Sequence, residues 1–330
     1  MKWPTGHGNA MLFLAHHSEG DEVFEMLLRA VDRCFEKQTP LKLEDDSQQL
    51  DELVEHAPHI AYRESQSESA KHDIVEEDER VSENLEKADK IADRESKEPE
   101  IVAMNIVAEL NALFKGIEIL GMALKADYGD LKSDQKQRYL STIVDGGLRG
   151  LRGFAEIFGE SPDYVVALIE EKLLSKMGVP PEKRKQLAKK VVFTVISTIA
   201  LGFVRKIGGS IGSRNLYPAI KRLVTADKSN AYKLIEVAAL LETPGPLPFG
   251  KLDALKSDLS NRAFAFSVLR RLALIRVYMY ETPQTEKQKL FNILGIKVET
   301  QMAIDVKTKD TKKARLNAPT LRAGNDTTQS

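Results

Sequence analysis

Apolar residues recur every three or four positions along most of the chain after residue 100, the spacing of one face of an α-helix. The clearest run ends near Asp127-Tyr128-Gly129. Its apolar stripe consists of Val102, Ile106, Leu110, Leu113, Ile117, Leu120 and Leu124. We therefore predict a helix of about 25 residues in this part of the chain.

Further helices follow, separated by short connectors that contain proline or glycine. The helix that begins at Ser133 holds four glycines, and each costs about 0.5 to 1 kcal/mol relative to alanine. Such a cost indicates close helix contact or a kink. No fixed repeat period is present. The pattern predicts an all-α fold, either a helical bundle or an α-solenoid of about eight to ten helices.

Charge divides the chain into four parts. Residues 41–100 carry 20 Asp and Glu against 8 Lys and Arg, whereas the net charge of the whole protein is −1. We predict a short helical hairpin at 1–38, an acidic and mostly disordered linker at 39–100, and an all-helical domain at 101–304. Residues 305–330 are predicted to be a disordered basic tail. We expect the hairpin to dock on the later helices or on another molecule, because it is too small to be stable alone.

The apolar run at residues 191–204 raises the question of a membrane. It has 14 residues, whereas a spanning helix needs about 20. On a helical projection one stripe is more polar: Lys190, Thr194, Thr198 and Arg205. The opposite side is apolar: Val192, Val195, Ile196, Ile199 and Phe203. This pattern predicts a core helix. Membrane association through residues 191–204 remains an alternative.

Two glycine-containing segments could bind an anion. Residues 245–251 (GPLPFGK) match the spacing of a phosphate-binding loop, but Pro246 and Pro248 have no N–H to donate. Leu252 also stands where such a loop has the Ser or Thr that ligates magnesium. Residues 207–213 follow a helix and are more typical of a helix end than of an anion site. We predict no nucleotide cofactor.

Histidines offer the next candidate chemistry. His56 and His59 have a ligand-like separation, and the potential ligands nearby are Glu52, Glu55 and His72. Pro58 interrupts the helix that would direct both histidines at one ion, so we predict no metal site. His16 and His17 adjoin Ser18, but adjacency in sequence is not a catalytic triad.

Cysteine content adds no catalytic candidate. Cys34 is the only cysteine, which fits a reducing compartment, and no secretory signal is present at Met1. We therefore expect a cytoplasmic protein. With no triad, metal site or nucleotide loop predicted, we assign no catalytic, cofactor-binding or metal-binding residue and predict that the chain is not an enzyme.

Basic residues suggest a second kind of partner. They begin one predicted helix, follow it, and recur on a later helix: Lys183, Arg184, Lys185, Lys189, Lys190, Arg205, Lys206, Arg214, Lys221, Arg222, Arg270, Arg271 and Arg276. A contiguous patch of such residues would attract phosphates. Helix surfaces are ordinarily rich in lysine and arginine, and acidic residues are interspersed, so nucleic-acid binding is an alternative and not the leading prediction.

Two segments resemble a known family. Residues 6–18 (GHGNAMLFLAHHS) resemble a short element that follows the nucleotide-binding part of large bacterial P-loop ATPases of the STAND type, signal-transduction ATPases often implicated in phage defence. Residues 109–121 (ELNALFKGIEILG) look like the opening of their helical C-terminal region. The resemblance implies a regulatory or sensing end without its ATPase motor, because no intact phosphate loop is present.

These observations lead to one functional prediction. We expect a non-catalytic helical regulatory or protein-interaction module, the sensing end of a split or truncated STAND-type ATPase. The expected partner is a protein, such as a P-loop ATPase or an effector. An adjacent gene for a P-loop ATPase that lacks its own helical C-terminal region would support this prediction.

Overall fold

The computed structural model describes residues 21–44, 46–54, 56–63, 68–76, 98–159 and 162–299. Most of this part of the chain is helical, which confirms the predicted all-α fold. The helices are α1 (Asp21–Arg33), α2 (Gln48–Asp51), α3 (Glu98–Ala126), α4 (Ser133–Gly159), α5 (Pro162–Ile169), α6 (Pro181–Ile211), α7 (Tyr217–Ala226), α8 (Asn230–Leu241), α9 (Phe249–Asp258), α10 (Ala263–Met279) and α11 (Gln284–Leu294). Residues 68–76 are also helical.

Two short elements complete the fold. A π-helical turn, Glu170–Leu174, extends α5. Two residues of β1 (Ala61–Tyr62) pair in parallel with β2 (Lys297–Val298), with Ala61 opposite Lys297. This pairing joins the first part of the chain to the end of the described region.

Helix α6 is the central element of the bundle and packs against α3, α4, α8 and α10. Its buried face runs from Ala188 to Ile211 and includes Val192, Phe193, Ile196, Ala200, Phe203, Val204 and Ile207. Four helices therefore cover one side of α6, as expected for a core helix. Val195, which was predicted to lie on the buried side, is instead 45% exposed. It is only three residues from Thr198 and lies at the edge of the outward face.

Within the described residues, α6 is also the one helix long and apolar enough to cross a membrane. Its most apolar 18-residue window is 44% buried inside the protein. The core helix of a soluble protein passes the same test of length and composition. The contacts with four neighbouring helices favour this interpretation.

The glycines of α4 lie where helices approach closely. A Cβ atom on Gly146 would be 2.7 Å from Val31 Cγ1, and one on Gly153 would be 2.5 Å from Phe35 Cδ1. Gly147 and Gly150 face Ile207 and Leu113 in the same way. The prediction of close helix contact at these glycines is confirmed.

Helix α1 docks on α3 and α4 with one apolar face, whose residues recur every three or four positions. Its buried side chains are Phe24, Leu27, Leu28 and Val31, followed by Cys34. The backbone N–H of Phe35 donates to Glu109 Oε1 at 2.6 Å, which fixes the end of α1 against α3. The predicted docking of this helix on the later helices is confirmed. The first helix of the predicted hairpin lies outside the described residues.

The predicted acidic linker is wrong over residues 39–44, 46–54 and 56–63, because these residues are folded onto the bundle. It buries five large side chains: Leu41, Leu43, Leu50, Leu53 and Tyr62. Its acidic residues also have structural roles. Glu44 Oε1 accepts a hydrogen bond from the backbone N–H of Asn230 at 2.6 Å, and Asp51 Oδ1 accepts one from that of Phe264 at 2.8 Å.

These two carboxylates cap the first turns of α8 and α10, where free N–H groups and the helix dipole favour negative charge. Burial raises the pKa of Asp51, although its hydrogen bond to Phe264 and the charge of Arg262 oppose this. The remainder of the predicted linker is described only at residues 68–76 and from Glu98 onward, where α3 begins.

We predict opposite effects for two glycine substitutions in α6. A Cβ on Gly208 would lie 2.8 Å from Ala238 Cβ and 3.0 Å from the Ala238 carbonyl carbon, so Gly208→Ala should destabilise the protein by about 1 to 3 kcal/mol. Gly202 has nothing within 4 Å of that position. Gly202→Ala should stabilise by about 0.5 to 1 kcal/mol through helix propensity. Urea unfolding followed by circular dichroism measures both, and equal effects would contradict the packing of α6 on α8.

Candidate interaction face

Exposed apolar side chains are concentrated in one stretch of the chain. Ten large apolar side chains are exposed in the part of the chain that the structure describes, and six of them lie between residues 164 and 195. We call these six the α5–α6 face: Tyr164, Leu168, Leu173, Met177, Leu187 and Val195. The most exposed are Met177 at 68% and Tyr164 at 67%. Exposed apolar side chains that lie together mark interaction sites more often than isolated ones do, and these six lie on two consecutive helical arms that pack on each other.

The face is built on a helical hairpin. Helix α5 and the π-helical turn pack mainly on α6, with a smaller contact between α5 and α4. Val166 and Leu174 are buried and hold the first arm of the hairpin in place. Between the arms Gly178 has φ +70°, a left-handed conformation that reverses the chain, and Pro181 begins α6.

Sequence periodicity did not identify this face, because apolar residues occur on all sides of α5. In the sequence, Leu168 and Leu173 belong to the same apolar run as Val166 and Leu174. The structure separates the two pairs, with the first exposed and the second buried. A helix that is apolar all round is typical of a buried helix, so the pattern alone gives no indication of an outward apolar side.

A strong positive charge accompanies the face. Residues 172–190 contain seven Lys and Arg and a single acidic residue, Glu182. Among the described residues, no carboxylate forms an ion pair with the six lysines of this stretch: Lys172, Lys176, Lys183, Lys185, Lys189 and Lys190. Arg184 differs, since its Nε donates to the carbonyl of Val179 at 2.6 Å and supports the hairpin turn. The lysines therefore leave the hairpin with an excess of positive charge.

The other predicted basic residues do not extend this surface, because many are engaged within the bundle. Lys206 Nζ lies 2.5 Å from Glu118 Oε2, and Arg270 Nε donates to the carbonyl of Leu294 at 2.8 Å. Arg276, which is 5% exposed, stacks on the ring of Tyr280. Burial lowers the pKa of Arg276 and Arg270. The predicted basic set thus includes structural cations, the lysines of the hairpin, and Lys221 and Arg222, which are exposed on α7.

The segment that resembles a phosphate loop is also held by these structural cations. Arg214 Nη2 donates to the carbonyl of Pro244 at 2.9 Å, and Arg276 Nη2 donates to that of Gly245 at 3.1 Å. The segment thus directs carbonyl oxygens at cations, whereas a phosphate loop directs N–H groups at an anion. Lys251, at the position of the phosphate-loop lysine, pairs with Glu236 Oε2 at 2.9 Å. Glu236 is 2% exposed, so Lys251 neutralises a buried carboxylate.

Residues 207–213 form the end of α6. The N–H of Gly212 donates to the carbonyl of Gly208 at 2.7 Å, and Lys125 Nζ donates to the carbonyl of Gly209 at 2.6 Å. Burial lowers the pKa of Lys125. This segment therefore presents helix C-terminal carbonyls to a lysine, which favours its interpretation as a helix end.

The candidate metal and nucleophile residues are not brought together in the described part of the chain. His56 and His59 are exposed, and His72 Nε2 lies 3.0 Å from Glu76 Oε1. No cluster of three or more potential metal ligands occurs among the described residues. Burial raises the pKa of the Cys34 thiol to about 11, which keeps it protonated at neutral pH. His16, His17, Ser18 and Glu55 lie outside the described residues.

A buried tyrosine–carboxylate pair connects α4 to α8. The hydroxyl of Tyr232 donates to Asp145, and burial raises the pKa of both groups. A raised pKa at a carboxylate can indicate a catalytic acid. Neither residue lines the open polar cleft of about 580 Å³ beside α2, nor the smaller cavity of about 210 Å³ between α7 and α8. The pair therefore has the character of a structural contact.

Comparison with known proteins gives no match to any family model, curated protein or solved structure. The resemblance to STAND-type ATPases stays a prediction. Of its two segments, residues 6–18 lie outside the described residues, and residues 109–121 form part of α3. There Leu113, Ile117 and Leu120 are buried in the core.

Removing the Lys251 ammonium should destabilise the protein, because it leaves the buried Glu236 carboxylate without its ion pair. We expect Lys251→Met to lower the free energy of unfolding by about 1 to 3 kcal/mol. A second change, Glu236→Gln, should restore part of the loss by removing the charge. Differential scanning calorimetry of the two variants tests this role. A saturable rise in melting temperature with Mg-ATP that Lys251→Met abolishes would instead indicate nucleotide binding.

Proposed function

We propose that this chain is a non-catalytic helical regulatory or protein-interaction module, and that its partner docks on the α5–α6 face. The observation that carries the proposal is the concentration of exposed apolar side chains on one helical hairpin. The rest of the described bundle supports that hairpin through the buried face of α6. A preformed platform of this kind reduces the entropy lost on binding.

The size of the face is consistent with a reversible interaction. Fully burying one Leu or Met side chain is worth about 1.5 to 3 kcal/mol, and the six side chains are already partly buried. Covering them would contribute on the order of 5 kcal/mol before the cost of association is subtracted. Added charge contacts from the lysines would be needed for micromolar affinity. A regulatory contact, which must also dissociate, is compatible with such values.

The resemblance of residues 6–18 and 109–121 to STAND-type ATPases supports a role in bacterial signalling or phage defence. On this proposal the chain is the sensing end of a split or truncated ATPase, and its partner is a P-loop ATPase or an effector in the cytoplasm. The structural roles of Lys251 and of the residues around Gly245 are consistent with the absence of a motor from this chain.

Two paired variants test the proposed face. Tyr164→Ser with Met177→Ser removes its two most exposed side chains, whereas Met26→Ser with Met122→Ser removes exposed methionines elsewhere on the protein. We expect a partner isolated with the wild-type chain from its source cells to be retained by the second pair. The first pair should lose at least about tenfold in recovery, because it loses buried apolar contact. Equal recovery with both pairs, measured by quantitative mass spectrometry, would contradict the proposed location.

A further inference from the structure

We infer that the α5–α6 face recognises an amphipathic α-helix whose apolar stripe is flanked by Asp and Glu. The inference rests on the proposed function and specifies the chemistry of the partner. It follows from three features of the hairpin: its charge, the spacing of its exposed apolar side chains, and the acidic residues that lie among them.

Charge identifies the partner as acidic. Residues 162–195 of the hairpin contain seven Lys and Arg against four Asp and Glu. All seven cations lie within residues 172–190, and the six lysines among them form no ion pair with a carboxylate of the described structure. A partner with carboxylates beside its apolar stripe would neutralise these lysines, and like charges would repel a basic partner. A second copy of this chain would bring two equally basic hairpins together. The charge pattern therefore disfavours self-association through this face.

The spacing of the exposed apolar side chains favours a helix as the partner element. Tyr164 and Leu168 are four residues apart on α5, and Leu187 and Val195 are eight residues apart on α6. These separations correspond to one and two helical turns, or about 6 and 12 Å along the axis. An amphipathic helix carries apolar anchors at the same intervals. Met177 lies at the turn of the hairpin, and its flexible side chain can adapt to a partner's surface.

Acidic residues on the hairpin favour a protein over a membrane. Asp163, Glu171 and Glu182 are exposed on the same hairpin. An anionic bilayer would repel each of these carboxylates. A helix can instead place its Asp and Glu opposite the lysines and a hydrogen-bond donor opposite each carboxylate. The buried face of α6 is also occupied by other helices, so that face has no free apolar surface to insert into lipid.

A synthetic helix tests the inference with the full-length chain. The probe is a fluorescein-labelled amphipathic peptide of about 20 residues, with leucines at i, i+3, i+4 and i+7 and glutamates at the flanking positions. We expect saturable binding in fluorescence anisotropy that weakens at least about tenfold between 50 and 500 mM salt. A peptide with the same leucines and lysine in place of glutamate should bind at least about tenfold more weakly.

Matched variants then locate the contact. Lys172→Glu with Lys176→Glu should weaken binding of the glutamate peptide at least about tenfold. The same reversal at Lys221 and Arg222, which are exposed on α7, should change the affinity less than about twofold. Leu173→Ser with Met177→Ser should also weaken binding, and circular dichroism confirms that each variant is folded.

The possible outcomes separate this inference from the proposed function. Equal binding of the glutamate and lysine peptides, lost only in the serine variant, would overturn the inference that the partner is acidic. The proposed docking face would still stand. Binding that neither pair of substitutions at the hairpin changes would overturn both. The inference would also be overturned if the protein fails to bind the peptide and sediments with phosphatidylglycerol vesicles but not with phosphatidylcholine vesicles. That result would show a membrane surface as the partner.

Discussion

The close packing of α6 against α3, α4, α8 and α10 is the contact on which the rest of the structure depends. It requires small residues where backbones meet: a Cβ on Gly121 of α3 would lie 2.5 Å from the Ser210 carbonyl oxygen, and Gly208 is similarly close to Ala238 of α8. Dispersion attraction falls steeply with distance, and a gap between helices loses these contacts. The close contacts at the glycines therefore allow α6 to serve as the centre of a large core. The N-terminal part of the same helix extends to the hairpin and supports the candidate face.

A second feature of the fold is that acidic residues cap helices that are far away in the sequence. Glu44 and Asp51 lie in a segment whose composition indicates a mobile tether, yet their carboxylates satisfy the first N–H groups of α8 and α10. Each capping bond joins residues that are far apart in sequence, by 186 and 213 positions. Local composition cannot reveal such partners, which explains why the sequence-based boundary at residue 39 was wrong.

The elements that the sequence did predict are those set by local spacing. The stripe from Leu113 to Leu124, the apolar face of α1 and the close contacts of the α4 glycines all follow from helical periodicity and from the cost of glycine in a helix. The candidate site was harder to predict. Counting basic residues does not distinguish Arg276, which is buried against Gly245, from Lys172, which is exposed, because only tertiary structure separates them.

The central claim is that one side of α6 is core and the other is accessible surface, and cysteine labelling tests it most directly. Cys34 is buried, so single cysteines introduced along α6 can be followed with a water-soluble maleimide over a low background. We predict rapid labelling of Leu187→Cys and Val195→Cys, and protection of Ile196→Cys and Ala200→Cys until denaturant is added. Equal protection of Val195→Cys and Ile196→Cys, as in a membrane span, or equally rapid labelling of both, would contradict the account.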